Sequence, residues 1–256
     1  MVRLTAVAET AERRLADPVI WHDVECAAYA ADLPLWRELG SSASGPVLEL
    51  GAGTGRVALD LARCGHDVTG LDAQPALVHA LAARGRESGV RVRAEVGDAR
   101  SLSLGRRFGL VVAPMQVVQL MGGASGREAL LERIREHLSS GGLFAAALAD
   151  PFEGVPPGEL EPPLPDMRED GGWVYSSRPV DVRNVDGGVA IDRLRQVVSP
   201  AGGLAESMTS LVLDRLDTAQ LESEAEAAGY RALPRRSVPE SGAYVGSTVV
   251  LLEAAA

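Results

Sequence analysis

Lysine is absent from this 256-residue chain, and all 25 Lys+Arg positions are arginine. That usage reflects a GC-rich genome rather than a function. Cysteine is scarce. Cys26 and Cys64 alone exclude a disulfide framework, and each is expected to pack as a small apolar side chain in a reducing cytosol. No apolar run approaches the roughly 18 residues of a membrane span, and the N-terminus lacks the apolar core of a signal peptide. Those absences lead to the expectation of a cytoplasmic protein with no membrane partner. Positive charge is also short. A net charge of −10 disfavours a nucleic-acid groove or an anionic lipid surface. No internal repeat occurs. What is present is length and apolar content, 46% of residues, enough for one large core or one core with a small appended element.

The chain is organised around residues 46–72. Val47 to Leu50 reads as a short buried strand running into Gly51-Ala-Gly-Thr-Gly55. Thr54 to Cys64 follows as a helix with Val57, Ala58, Leu61 and Ala62 on one face, and Gly65 stands where a C-cap belongs. His66 to Leu71 is a second strand with Asp72 at its carboxyl end. This is half of a βαβ nucleotide-binding unit. Gly51 permits the turn out of the strand, Gly53 lets a ligand lie on the main chain, and Gly55 lets the helix pack close to the sheet. The helix start offers free N–H groups, and Asp72 is placed to accept from two ribose hydroxyls.

Spacing selects the ligand. A dinucleotide fingerprint would put its third glycine at position 56, which is arginine here. The pattern is instead Gly-x-Gly-x-Gly preceded by Glu49. A carboxylate beside the loop would repel a pyrophosphate but suits a ligand carrying an ammonium and a sulfonium. Glu49-Leu-Gly-Ala-Gly-Thr-Gly55 resembles motif I of the class I S-adenosylmethionine (SAM) dependent methyltransferases. The likeness covers about residues 46–149 and 217–254. It implies an α/β fold, a Rossmann-like seven-stranded methyltransferase sheet, and SAM held by Glu49, Gly51, Ala52, Gly53, Gly55, Asp72 and Ala73. At the third strand, Val90 to Val96, it implies that Asp98 accepts from the adenine amino group while the Ala99 N–H donates to the ring. After the fourth strand, Phe108 to Ala113, it places Pro114 and Met115 at the cofactor and Gln116 where methyl donor meets acceptor. The Asn-Pro-Pro-Tyr motif of enzymes that methylate nucleobase or glutamine amino groups is missing.

Around residues 46–149 and 217–256, the expected SAM-binding core, two further pieces are expected. Residues 1–45 read as an N-terminal helical cap, with a helix over Asp23 to Leu39 bent or restarted at Pro34. Residues 150–216 read as an inserted antiparallel β lid or a dimer surface, with strands over 173–178, 180–184, 189–198 and 206–213. Candidate catalytic residues are His22, Tyr29 and Gln116. Trp21, Gln116, Asp150, Trp173 and Tyr175 are the candidate substrate-lining set, with core packing the alternative for the aromatics. His79 and His137 are expected to face solvent from helices. No acidic set suits a metal. The implied reaction moves a methyl group from SAM to nitrogen or oxygen of a small molecule, with natural-product tailoring as the setting and a homodimer as an open assembly. Alternatives are a SAM-binding cyclase or lyase, a silent SAM-binding module, a peptide methyltransferase and, against the Arg56 evidence, an NAD-dependent oxidoreductase.

Overall fold

The computed structural model describes residues 10–149, 164–242 and 244–254. These fall into two compact units, 10–28 with 164–213 and 29–149 with 214–254. In chain order the elements are α1 (Pro18–Cys26), α2 (Leu33–Ser42), β1 (Val47–Leu50), α3 (Arg56–Arg63), β2 (Val68–Asp72), α4 (Pro75–Glu87), β3 (Val92–Val96), β4 (Phe108–Ala113), α5 (Ala124–His137) and β5 (Leu138–Leu148). They continue with β6 (Asp166–Asp170), β7 (Trp173–Val185), β8 (Gly188–Val198), β9 (Leu204–Asp214), α6 (Thr218–Ala227), β10 (Tyr230–Val238) and β11 (Ser247–Ala254).

The larger unit holds a seven-stranded sheet in the order β10-β11-β5-β4-β1-β2-β3. β1 pairs in parallel with β2 and β4, and β11 pairs antiparallel with both β10 and β5. β11 is therefore the strand that runs against the rest. Alternation along the strands gives each face its own core, because successive side chains point to opposite sides. Leu48, Leu50, Val111, Phe144 and Ala146 pack with Leu130 and Ile134 of α5 and Leu221 of α6. Val47, Leu110, Val112 and Ala145 pack with Trp36 of α2, Val57 and Leu61 of α3 and Leu81 of α4. Both faces are covered, which is why the central strands read as continuous apolar runs.

The smaller unit is a four-stranded antiparallel sheet, β6-β7-β8-β9, with α1 packed on it. Trp21 meets Tyr175 edge-on, ring centres 6.1 Å apart, over Val24 and Val197. Glu25 of α1 accepts a fork from Arg195 at 2.8 and 2.9 Å and the Ser177 hydroxyl at 2.7 Å. β7 is one strand where two were expected. It shifts register between Pro179 and Asp181, and proline supplies no ladder N–H, so the break in pattern marks an irregularity and not a turn. β6 was not anticipated, because its sequence is almost wholly polar.

Other expectations need correction. The stretch read as one cap over 1–45 is divided, α1 belonging with the four-stranded sheet and α2 with the larger unit. The helix expected over Asp23 to Leu39 is broken between Cys26 and Leu33, and Pro34 opens α2, a position where its missing N–H costs nothing. His137 is buried: its Nε2 accepts the Leu104 N–H at 3.0 Å, so Nδ1 carries the hydrogen and donates to the Arg133 carbonyl at 2.7 Å. Cys64 is exposed at the C-cap of α3. The N-cap of α6 is Asp217, whose carboxylate accepts the Gln220 N–H. No helix among the described residues is long and apolar enough to cross a membrane.

Arg127 in α5 is 2% exposed and forks Glu224 of α6 at 2.7 Å on both nitrogens, with Asp214 at 3.0 Å. Replacing it with leucine strands two carboxylates beside a buried site. Arg127→Leu is expected to cost about 3–5 kcal/mol in urea unfolding, since removing one partner leaves the others uncompensated.

Candidate active site

Four adjacent parallel strands end along one edge of the large sheet, and the sequence-predicted cofactor residues line that edge. Gly51 follows β1, Asp72 ends β2, Asp98 lies two residues beyond β3, and Pro114 follows β4. The loop after β1 has positive φ at Gly51 (63°), Gly53 (54°) and Gly55 (99°). A Cβ on Gly51 would stand 2.6 Å from Val117 Cγ2, and one on Gly55 would stand 2.4 Å from Leu81 Cδ1. Glycine is required here for both dihedral and close approach. Gly55 is the N-cap of α3, which begins at Arg56, two residues after the expected start at Thr54.

Asp72 holds this loop as well as facing the edge. Its Oδ2 accepts the Gly53 N–H and its Oδ1 the Gln74 N–H, each at 2.9 Å. Every carboxylate oxygen has a second acceptor site, so two hydroxyls remain accommodated. Ala73 is exposed in the turn that follows. Asp98 is engaged differently from the expectation. Its carboxylate caps the 3₁₀ turn Ala99–Ser101 through the Arg100 N–H and takes a fork from the Arg100 guanidinium, which holds it below the usual carboxylate range. An adenine amino group would have to share that carboxylate with Arg100.

Glu49 lies on the β1 face that carries Val47, beneath the first turn of α3, and is 3% exposed. Its carboxyl accepts a hydrogen bond from the Ala58 backbone, yet Oε2 is buried without a partner. Desolvation pushes its pKa up from 4.5 to about 8, against the pull of Arg56. Arg56 is itself committed: it forks Asp32 at 2.5 and 2.8 Å and donates to the Tyr29 carbonyl at 3.0 Å. Trp36 Nε1 donates to Asp32 at 2.8 Å. The Arg56 guanidinium stands 5.0 Å from the centre of the Tyr29 ring, which lies 4.9 Å from the Tyr244 ring. Burial, then Asp32, push the Tyr29 phenol up, so it serves as a donor and not as a base near neutrality.

Past β4, Pro114 is buried, and Met115 is the one non-glycine with positive φ (58°) among the described residues. Gln116 follows, half-buried at the head of the 3₁₀ turn Val117–Leu120. Strain at this strand end is the kind that functional loops carry. Of the remaining candidates, Trp21 and Tyr175 are 1% exposed within the smaller unit's own core, the packing role that was their alternative. Trp173 is partly buried beneath the Arg14 guanidinium, 4.5 Å from its ring centre. His22 is half-buried on α1. Asp150 lies outside the described residues.

Sequence reasoning missed Asp32, Tyr244 and Gln119. Gln119 Nε2 donates to the Ala149 carbonyl at 3.0 Å and its Oε1 accepts the Ala149 N–H at 3.1 Å, fixing the chain just beyond β5. One signal was available. An arginine in the first turn of a helix opposes the helix dipole, so Arg56 needed an acid from elsewhere. A concavity of about 930 Å³ sits at the other end of the sheet, between α5, the C-terminal part of α6, the first residues of β5 and Ala254. Strand amino ends are not where this architecture binds ligands. No group of three His, Cys, Asp or Glu converges as metal ligands would among the described residues.

The family of methyltransferase domains matches residues 47–142. Residues 47–142 thus carry a methyltransferase domain. Streptomyces venezuelae DesVI is 20% identical, over 96% of this chain and 98% of that one, with a TM-score of 0.72. The SAM-bound CalS10, an amino pentose methyltransferase from Micromonospora echinaspora involved in calicheamicin biosynthesis, is 23% identical, over 90% and 91%, with a TM-score of 0.66. The sugar N-methyltransferase KedS8 from Streptoalloteichus sp ATCC 53650 is 14% identical, over 93% and 92%, with a TM-score of 0.72. At these identities the likeness is one of fold. No curated protein matches the sequence. The domain's own residues fit SAM: a glycine loop with no room for side chains at Gly51 and Gly55, spare acceptor capacity on Asp72, and a buried carboxylate oxygen lacking a donor.

A glutamic acid with a native pKa raised to about 8 favours folding fully below about 4.5, and that contribution is lost as pH rises through 8. The melting temperature of the wild type should therefore fall relative to Glu49→Gln between about pH 5 and pH 8. Parallel melting curves for the two proteins across that range would show Glu49 to be ionised throughout.

Proposed function

We propose that this chain is a class I SAM-dependent methyltransferase that transfers the methyl group of SAM to a nitrogen or oxygen of a small molecule, an amine of a sugar-like natural product being the favoured acceptor. The observation that carries the SAM half is the carboxyl-edge constellation of Gly51, Gly53, Gly55, Asp72 and Glu49. The acceptor class rests on the named activities of the similar structures, an amino pentose methyltransferase and a sugar N-methyltransferase. The acidic surface agrees with a neutral or cationic acceptor.

When bound, SAM supplies an activated methyl on a sulfonium, so the chain's work is mostly alignment and exclusion of water. Asp72 would accept from the ribose hydroxyls while keeping Gly53 in place, and Glu49 would face the ammonium. Gln116, at the end of β4, would orient the acceptor through its amide. Tyr29 would donate from its phenol, and His22 is the candidate to take the proton an ammonium acceptor must lose. The exposed Met167, Leu204, Met208 and Val212 of the four-stranded sheet leave room for a homodimer through that unit.

The test is S-adenosylhomocysteine release with a panel of amino sugars, hydroxylated sugars and peptides. Turnover confined to peptides, or SAM consumption without methyl transfer, would refute the reading. Asp72→Ala should weaken SAM binding at least about 100-fold in calorimetry, given two lost charged hydrogen bonds and a loosened loop. Asp72→Asn, which keeps the shape, should fall between.

A further inference from the structure

Building on the SAM reading of the glycine loop, we infer that Glu49 carries a proton in the cofactor-free protein and releases it when the cofactor's ammonium arrives. Cofactor binding and proton release are then one event. The geometry starts from strand alternation, which turns Glu49 into an otherwise apolar face between Val47 and the first turn of α3. One oxygen is occupied by the Ala58 backbone, and Oε2, fully enclosed, receives nothing. An ionised carboxylate in that position would need a cation. The charged groups facing it are Arg56 on α3, Asp32 ahead of α2 and Asp72 at the end of β2. Arg56 is already spent on Asp32 through two short contacts, with side-chain exposures of 10% and 2%. An ionised Glu49 would add a third negative charge around one satisfied positive charge. The neutral acid avoids that, and its elevated pKa agrees with the geometry.

An ammonium brought to face the Glu49 carboxyl would reverse the balance. The carboxyl O–H bond breaks, its proton passes to the buffer, and the carboxylate accepts an N–H from the ammonium, which keeps its own charge. No electrons are transferred. The linkage belongs to the amino-acid end of the cofactor and not to the sulfonium. S-adenosylhomocysteine should therefore release the same proton, and methylthioadenosine, which lacks the ammonium, should release none.

The experiment is calorimetric titration of the full-length protein with SAM at about pH 7, in buffers of different ionisation enthalpy. The wild type should release close to one proton per site, whereas Glu49→Gln and the methylthioadenosine titration should release about none. Infrared difference spectra provide a second measurement: a protonated-carboxyl band should be lost on adding SAM and be missing from Glu49→Gln. SAM binding with heats that do not depend on buffer would overturn the proton linkage while leaving the cofactor assignment standing. Failure of the wild type to bind SAM would overturn the cofactor assignment and the linkage with it. A carboxyl band that persists at SAM saturation would also refute the proposal.

Discussion

Everything at the ligand edge depends on how a few buried charges are shared. Arg56 enters α3 where the helix dipole is unfavourable to it, and Asp32 compensates with a two-pronged contact that also receives the Trp36 indole. That pair fixes the segment carrying Tyr29 against the glycine loop. It also leaves Glu49 without a counter-ion, one strand away. An apolar core would have been simpler. A set of acids with one committed arginine instead makes the cradle receptive to a cation, and a buried pair of this kind serves position more than stability.

The glycine loop shows the same economy from the other side. Asp72 ties Gly53 to the end of β2. Loop shape and the proposed ribose contact would therefore share a single carboxylate. At the neighbouring strand, Asp98 is bound up with Arg100, an ion pair that the proposed adenine contact would have to share. At 14–23% identity the likeness to solved structures is one of fold, and one fold can host many chemistries, so the acceptor stays open.

The core was legible in the sequence because its information is local. β1 and β4 were read at their observed limits, and α3 and β2 within a few residues, since apolar runs and Gly65 punctuate them. The candidate cofactor positions came from the glycine motif, its spacing to Asp72 and the family resemblance at the later strand ends. What could not be read was tertiary. His137 looked like a solvent-facing helical histidine until the Leu104 N–H was found on it. Arg56 registered only as a missing glycine, since its partner lies 24 positions away. β6 escaped because an edge strand can be polar on both faces, and the 27–32 break in the N-terminal helices followed from packing with two different partners.

Two side chains in the larger unit pin the chain where it leaves and where it returns. Gln119 grips Ala149 through both its main-chain groups, and Arg127 with the Gly123 N–H secures Asp214. The seven-stranded scaffold thus closes its own hydrogen bonding before the chain departs and again as it comes back. The larger unit therefore does not rely on the four-stranded sheet to satisfy these main-chain groups, and sequence change in that sheet leaves both anchor points intact.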